Sequence, residues 1–178
     1  EAGKLVLSDT EFSLEELLSG VRETIAPACR ERGLDLRLAS PPGAAHLRGD
    51  ELRLRQILIN LAGNAVKYTT EGHIAIDTAI LPGRRPGKAM LLLTVADSGM
   101  GISDNQLECI FDSFTQLEGA YTRKNQGAGL GLSIVRRLVS AMNGSVCVES
   151  EPGRGTTFYC VVECGRGDGV RPVEAARG

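Results

Sequence analysis

The chain has 178 residues, 42% of them hydrophobic and 24% charged, which is an ordinary composition for one globular domain with a buried core. Its formal net charge of −2 excludes a general attraction to nucleic acid or anionic membranes, so residues that bind phosphates must act locally. No apolar run approaches the roughly 20 residues that span a bilayer, and no signal-peptide pattern opens the sequence. We therefore expect no membrane or nucleic-acid contact by this chain.

The five cysteines form no CxxC pair and suggest a reduced protein. Cys160 and Cys164 lie in an alternating apolar stretch, where cysteine behaves as a small core residue. The cysteine pattern therefore favours a reducing, cytoplasmic environment and predicts neither a metal site nor a redox site.

Helical and extended patterns alternate in the first half of the chain. Apolar residues recur at helical spacing from Ser13 until Gly33, and again after Asp50, which can cap a second helix. Alternating spacing predicts a strand at Leu34–Leu38 and, further on, two strands at His73–Leu81 and Ala89–Ala96. Loops at 40–45 and 82–88 complete this half.

The second half begins with a polar segment of unusual length, residues 103–126, which is typical of a functional lid or of disorder. A third helix is predicted from about Leu130 to Met142, followed by a hairpin of Ser145–Ser150 and Thr156–Cys164. This order predicts an α+β fold, a two-layer α/β sandwich with a mixed, mostly antiparallel sheet covered by three helices.

Three polar side chains share one face of the second predicted helix. Asn60, Asn64 and Lys67 stand at positions i, i+4 and i+7 and project together. An amide oxygen suits Mg²⁺, and an ammonium group suits a phosphate. The alternative is an ordinary solvated helix face.

Directly after the strand that ends at Ala96 stands the motif Asp97-Ser-Gly99-Met-Gly101. A carboxylate at a strand end can accept a hydrogen bond from an exocyclic amine such as that of adenine, and the glycines let the backbone approach a planar ring. The same residues are equally consistent with a tight turn.

The segment Gly127-Ala-Gly129-Leu-Gly131-Leu stands immediately before the third predicted helix. Glycines at a helix N-terminus allow free backbone N–H groups to approach an anion. The pattern is neither a P-loop, since no Gly-Lys-Ser/Thr follows, nor a dinucleotide fingerprint, since no short strand precedes it. Close packing of a helix start is the alternative interpretation.

The order of these motifs is more specific than any one of them. With Phe111 and Phe114 in the intervening loop and Gly153-Arg-Gly155-Thr156 near the end, the chain resembles the catalytic domain of sensor histidine kinases over residues 4–164. That domain is part of the wider ATPase superfamily of DNA gyrase, the heat-shock chaperone and MutL. The resemblance implies three regions: an exit from a missing helical dimerisation domain at 1–10, a catalytic domain at 11–164 with its lid at about 103–128, and a disordered tail or linker at 165–178.

The resemblance also implies ATP and Mg²⁺ as cofactors and assigns the residues that bind them. Asn64 would ligate Mg²⁺ with help from Asn60, Lys67 would contact phosphate, and Tyr68 would lie against the nucleotide. Asp97 would accept from the adenine amine. The other implied nucleotide contacts are Gly99, Gly101, Arg123, Lys124, Gly127, Gly129, Leu130, Gly131 and Thr156.

Two further implications concern the lid. Phe111 and Phe114 would pack its base, and Arg123 and Lys124 would reach the γ-phosphate. One residue departs from the family pattern: Ala128 stands where the family often has Thr or Ser, which weakens any phosphate contact from that side chain.

The residue at position 60 separates two types of reaction. Gyrase-like ATPases carry a glutamate there that activates water, whereas Asn60 cannot accept a proton. Glu51 lies more than two helical turns away and is expected to be a surface charge. The resemblance therefore favours a domain that keeps ATP intact and presents its γ-phosphate to another nucleophile.

Neither histidine of the chain, His46 or His73, lies in the family's phosphoacceptor motif. The expected partners are therefore a dimerisation and histidine phosphotransfer domain of the same protein and the receiver domain of a response regulator. The isolated chain is expected to be monomeric and unable to phosphorylate itself. Alternatives are a degenerate kinase that acts as a docking module, a hydrolytic ATPase, and a serine kinase of the anti-sigma type.

Overall fold

The computed structural model describes residues 6–41, 46–108, 110–111 and 131–167. In these ranges one seven-stranded sheet is covered on one face by three long helices, which confirms the predicted two-layer α/β sandwich. The elements in chain order are β1 (Thr10–Ser13), α1 (Leu14–Glu31), β2 (Asp35–Ala39), β3 (His46–Gly49), α2 (Glu51–Tyr68), β4 (His73–Pro82), β5 (Lys88–Asp97), α3 (Asp104–Leu107), α4 (Gly131–Ala141), β6 (Ser145–Glu151) and β7 (Gly155–Arg166).

Strand β7 is the centre of the sheet. The strand order is β1-β3-β7-β5-β4-β2, and β6 also pairs with β7. Only β2 and β4 pair in parallel, while every other described pair is antiparallel. The β5–β7 register sets Asp97 opposite Thr156, and the β6–β7 register sets Ser150 opposite the same threonine. The topology therefore brings three chain segments together at one end of the sheet.

The core lies between this sheet and the helices. Alternate residues of β4, β5 and β7 point inward, and α1, α2 and α4 bury their apolar stripes against them. The largest fully buried side chains include Leu17, Leu54, Leu58, Ile76 and Leu93. Because α2 packs against α1, α4, β4 and β5, it is the central helix of the covering layer.

Polar contacts fix α2 at both ends. Asp50 caps its first turn: Oδ1 accepts from the Arg53 N–H at 3.1 Å, and Oδ2 accepts from the Ser8 N–H at 3.0 Å. At the other end, Arg32 Nη1 of the α1 C-cap donates to the carbonyl of Val66 at 2.9 Å. One of the unpaired amides at the start of α2 and one carbonyl near its end are thus satisfied, and these contacts oppose a shift of the helix along its axis.

Two short strands and one short helix were not predicted. Strands β1 and β3 have four residues each and pair with one another, and Asp9 and Ser8 ahead of them already contact Arg48 and Asp50. Strand β7 runs to Arg166, two residues beyond the expected end of the hairpin. Helix α3 opens the segment predicted as a lid, and there the Gln106 side chain accepts from the Ser103 hydroxyl at 3.0 Å.

The predicted core cysteines are buried. Burial, together with the nearby Cys147, raises the pKa of Cys160 to about 12. Burial also raises the pKa of Cys164 to about 12. Such thiols are poor nucleophiles because the thiolate is the reactive form. Among the described helices, none has the length and apolarity needed to cross a bilayer.

Replacement of Asp50 by alanine should lower the free energy of unfolding by about 2 kcal/mol, because a buried helix cap is lost. Burial alone would raise the pKa of Asp50, but hydrogen bonds from Ser8 and Arg53 outweigh it and hold the pKa below its ordinary value. The stabilisation that the charged Asp50 carboxylate gives to the wild type is therefore present at neutral pH and disappears as pH falls through this lowered pKa. Urea unfolding at several pH values measures the effect.

The matched control is Asp77→Ala, since Asp77 is an exposed residue of β4. This substitution should leave the urea concentration at the midpoint of unfolding nearly unchanged. Equal losses in the two variants would contradict the importance of the Asp50 cap.

Candidate functional site

The carboxylate of Asp97 closes β5 in a half-buried position. Its Oδ1 accepts from the Gly99 N–H at 2.8 Å. Burial raises the pKa of Asp97, and the hydrogen bonds from Gly99 and Thr156, the nearby Thr69 hydroxyl and the charge of His73 offset only part of that effect. A partly buried carboxylate whose pKa is raised in this way is a typical feature of a binding site.

Protein atoms fill the space beside the two glycines of this motif. A Cβ at Gly99 would lie 2.5 Å from the Tyr68 carbonyl oxygen, and a Cβ at Gly101 would lie 2.2 Å from that of Glu151. Gly101 also has a φ of 71°, which L side chains rarely adopt. The structure therefore gives both glycines the role of a tight turn, and their contact with a nucleotide stays a prediction.

Ser150 joins three segments at this end of the sheet. Its Oγ accepts from the Ile102 N–H at 2.8 Å, donates to the Gly155 carbonyl at 2.9 Å and lies 2.8 Å from the Thr156 hydroxyl. Since a hydroxyl has one proton and it goes to Gly155, the Thr156 hydroxyl is the donor in the third contact. Thr156 Oγ1 consequently keeps its acceptor capacity for another group. Ser150 carries no local sequence signal of this role, which follows from the pairing of β6 with β7.

A buried hydroxyl borders the same carboxylate. Thr69, directly after α2, is fully buried, and its hydroxyl lowers the pKa of Asp97. No described group meets that hydroxyl at ordinary hydrogen-bond geometry. Because the backbone N–H of Met100 donates to the Tyr68 carbonyl at 3.3 Å, the Asp97 turn is attached to the C-terminal end of α2.

The predicted face of α2 carries Asn60, Asn64 and Lys67, all half-buried. The Asn60 Nδ2 is buried and has no hydrogen-bond partner among the described residues. A buried donor of this kind destabilises the fold by about 1–3 kcal/mol unless a bound group accepts from it. The Lys67 ammonium lies 5.0 Å from the centre of the Tyr68 ring, which is a cation–π contact.

Helix α4 begins beside this face. A Cβ built on Gly131 would lie 4.0 Å from Asn64 Nδ2, so the first turn of α4 and the Asn64 amide adjoin. The unpaired backbone N–H groups of a helix N-terminus attract anions. The site therefore combines a carboxylate at one end with amide and cationic groups suited to an anion along α2.

Of the two predicted lid phenylalanines, Phe111 packs edge-on against Phe158 of β7, with ring centres 6.1 Å apart and an interplanar angle of 85°. This contact anchors the start of the loop to the core. The other predicted site residues of this loop, Phe114, Arg123, Lys124, Gly127, Gly129 and Leu130, lie outside the described residues.

Known proteins resemble this chain in sequence. The family model described as histidine kinase-, DNA gyrase B-, and HSP90-like ATPase matches residues 49–165. Sensor protein GacS of Pseudomonas syringae pv. syringae is 41% identical over 160 residues, which are 89% of this chain and 18% of GacS. The autoinducer 2 sensor kinase/phosphatase LuxQ of Vibrio cholerae serotype O1 is 40% identical over 159 residues, again 89% and 18% of the two chains. The chain thus spans less than a fifth of these relatives.

Solved structures agree with the sequence matches. Full-length ShkA in complex with AMPPNP superposes with a TM-score of 0.79 at 35% identity, covering 98% of this chain and 35% of ShkA. The nucleotide-free catalytic domain of the histidine kinase ThkA gives a TM-score of 0.66 at 26% identity, covering 86% of this chain and 94% of ThkA's. The described fold therefore corresponds to a histidine kinase catalytic domain.

Replacement of Ser150 by alanine should lower the free energy of unfolding by about 1–3 kcal/mol, because the Ile102 N–H and the Gly155 carbonyl lose their partner. The Thr156 hydroxyl would also rotate freely. Thermal unfolding of the variant, beside Ser145→Ala at an exposed position of the same strand, measures the difference. A Tm equal to that of the control would contradict the joining role of Ser150.

Proposed function

The chain belongs to the family of histidine kinase-, DNA gyrase B-, and HSP90-like ATPases, and on that basis we propose that it is the ATP-binding catalytic domain of a sensor histidine kinase. It would present the γ-phosphate of ATP to a histidine on a separate dimerisation domain, for relay to an aspartate of a response regulator. The observation that carries the proposal is the alignment of two chemistries along α2: the Asp97 carboxylate adjoins its C-terminal end, and amide and cationic groups follow along one face.

Asp97 and Thr156 suit the adenine end of ATP. The partly desolvated carboxylate can accept from the exocyclic amine, and the Thr156 oxygen has acceptor capacity for the same amine or for a bridging water. Tyr68 would lie against the nucleotide, and the tight turn through Gly99 and Gly101 would shape the pocket floor.

Groups along α2 suit the triphosphate. Lys67 would neutralise phosphate charge, and the first turn of α4 at Gly131 would add backbone donors next to Asn64. The buried Asn60 Nδ2 is a donor, which fits a phosphate oxygen or a metal-bound water better than a cation itself. The Asn64 amide oxygen would ligate Mg²⁺, which when bound neutralises phosphate charge and orients the γ-phosphate.

The reaction that suits these groups is phosphoryl transfer rather than hydrolysis. An amide at position 60 cannot take a proton from water, so the general base of a hydrolytic ATPase is lacking there. Positioning and charge neutralisation would supply most of the rate enhancement. From the lid, Arg123 and Lys124 would complete the neutralisation of the phosphate charge. Phe111 and Phe114 would pack the base of the lid. Three further residues would lie near the phosphates: Gly127, Gly129 and Leu130.

The parent protein would supply the remaining partners. We expect a helical dimerisation and histidine phosphotransfer domain in the same polypeptide, a receiver domain as the final acceptor, and a cytoplasmic location for this part. The isolated chain should be monomeric. If it binds no nucleotide, its family membership would instead indicate a degenerate kinase that docks other proteins.

The first test is calorimetric titration with a non-hydrolysable ATP analogue and Mg²⁺. The wild type should bind, and Asp97→Asn should abolish binding, because the amide oxygen stays with the Gly99 N–H and the amide nitrogen then presents a donor to the adenine amine, which is itself a donor. Asp77→Asn, at the exposed position of β4, should bind as the wild type does. No binding by the wild type would overturn the proposed function.

The same variant separates binding from stability. Since burial raises the pKa of Asp97, the folded state disfavours its charged form, and a neutral amide relieves this at neutral pH. Asp97→Asn should therefore unfold at an equal or higher temperature than the wild type while failing to bind. In the wild type, affinity should fall on acidification from a higher pH than the ordinary aspartate range. A clear drop in the Tm of Asp97→Asn would contradict the conclusion that the folded state disfavours the charged form of Asp97.

Asn64→Ala should weaken binding and remove its dependence on Mg²⁺, because the amide oxygen proposed as the metal ligand is absent. Titration of the variant with the ATP analogue, with Mg²⁺ and then with EDTA, measures the difference. A variant that keeps the full wild-type response to Mg²⁺ would exclude Asn64 as the ligand.

A further inference from the structure

The polar row on α2 extends beyond the residues assigned above. At about 100° per residue, Arg53, Gln56, Asn60, Asn64 and Lys67 fall within about 80° of the helix circumference, and every position between 53 and 67 on this arc is polar. The row is about 21 Å long. All five residues are half-buried, whereas the polar face of α1, at Glu15, Glu16, Ser19, Arg22 and Glu23, is exposed. The arc is therefore not an ordinary solvated face.

The direction of the bound nucleotide follows from the two ends of this row. The Asp97 turn is attached at Tyr68, and Asn64 adjoins the N-terminus of α4. A nucleotide whose base lies at Asp97 and whose phosphates follow the row must advance toward the N-terminus of α2. Gln56 and Arg53 then come after Asn60, beyond the terminal phosphate, where the acceptor has to approach.

These two residues hold each other in place. Arg53 Nη1 donates to Gln56 Oε1 at 3.2 Å, and the Arg53 backbone N–H is fixed by Asp50. In the described part of the chain, Arg53 forms no ion pair and the Gln56 amide nitrogen makes no hydrogen bond. Arg55, two residues away, contrasts with this: it pairs with Glu51 at 2.6 Å and occupies the space above Gly20 of α1. Arg55 is thus held in a direct ion pair, whereas the Arg53 guanidinium is held by Gln56 and interacts only at longer range with the Asp50 carboxylate, which already accepts from two backbone N–H groups.

We propose that Arg53 contacts the γ-phosphoryl group during its transfer and that Gln56 is the positioning residue that holds the guanidinium there. The inference rests on the proposed phosphotransfer function. In that step an imidazole nitrogen of the acceptor histidine bonds to the γ-phosphorus while the bond from phosphorus to the β,γ-bridging oxygen breaks. ADP leaves with that oxygen, and the proton on the other imidazole nitrogen goes to solvent. Arg53 stabilises the charge on the three equatorial oxygens, which ADP alone does not offer.

The test compares ADP with ADP plus aluminium fluoride, a mimic of the planar phosphoryl group, by calorimetric titration of the whole chain with Mg²⁺. The wild type should bind the mimic complex more tightly than ADP. Arg53→Gln should lose about 10- to 100-fold of that gain with its affinity for ADP unchanged. Arg53→Lys should recover part of the gain in affinity, because the positive charge remains although the paired N–H donors of the guanidinium are lost. Gln56→Ala should lose part of it, and Arg22→Gln on the exposed face of α1 should lose none.

Each of the other possible results would overturn either the role of Arg53 or the proposed function. An equal loss of ADP affinity in Arg53→Gln would make Arg53 part of the resting nucleotide site and overturn the proposal. A wild type that binds ADP without any gain from aluminium fluoride would overturn it as well, as would an unchanged gain in Arg53→Gln. A wild type that binds no nucleotide at all would be the separate failure of the proposed function.

With the helical phosphoacceptor domain of a sensor histidine kinase supplied in trans, Arg53→Gln and Gln56→Ala should lower kcat and leave the KM for ATP unchanged, and Arg22→Gln should change neither. A merely structural role for Gln56 would instead raise KM and lower kcat together.

Discussion

The fixed position of α2 is the constraint on which the rest of the structure depends. Its apolar side is part of the core, so the helix cannot rotate without exposing Leu54, Leu58 and Leu61. Asp50 at one end and Arg32 at the other prevent it from sliding. A helix held in this way can present half-buried polar groups at defined places, which a helix on the surface could not do.

The site is less stable than the scaffold around it. Burial raises the pKa of Asp97, Asn60 has a buried donor without a described partner, and the Thr69 hydroxyl is fully buried beside the carboxylate. Each feature lowers the stability of the empty protein and would be relieved by a ligand with complementary groups. Ser150 works in the opposite sense, since it satisfies three polar groups and makes the end of the sheet rigid.

Periodicity predicted the long elements because each of them spans several repeats of its pattern. The helices that start after Ser13 and Asp50 and the paired strands β4, β5, β6 and β7 all belong to this class. Strands β1 and β3, with four residues each, are too short to show a period, and they exist because they pair with each other. Helical spacing likewise placed Asn60, Asn64 and Lys67 on one face. Contacts between distant segments, such as Ser150 with Ile102 and Arg32 with Val66, leave no local signal in the sequence. The sequence alone also cannot decide whether the glycines after Asp97 form a tight turn or contact a nucleotide, because that depends on the atoms packed around them.

The way in which residues 6–9 join the fold has a mechanical consequence. Strand β1 is the edge of the sheet, and β3, its neighbour, reaches β7 through only two paired residues, whereas β5 pairs with β7 over ten. Residues 6–9 are also attached by the Ser8 hydrogen bond to Asp50, by the contacts of Asp9 with Arg48 of β3 and by the packing of Leu7 against the core. A pull on this segment is therefore resisted first by the cap of α2 and by the short junction of β3 with β7. Under load the fold would give way at this corner, and the first turn of α2 would loosen while the central strands stay paired.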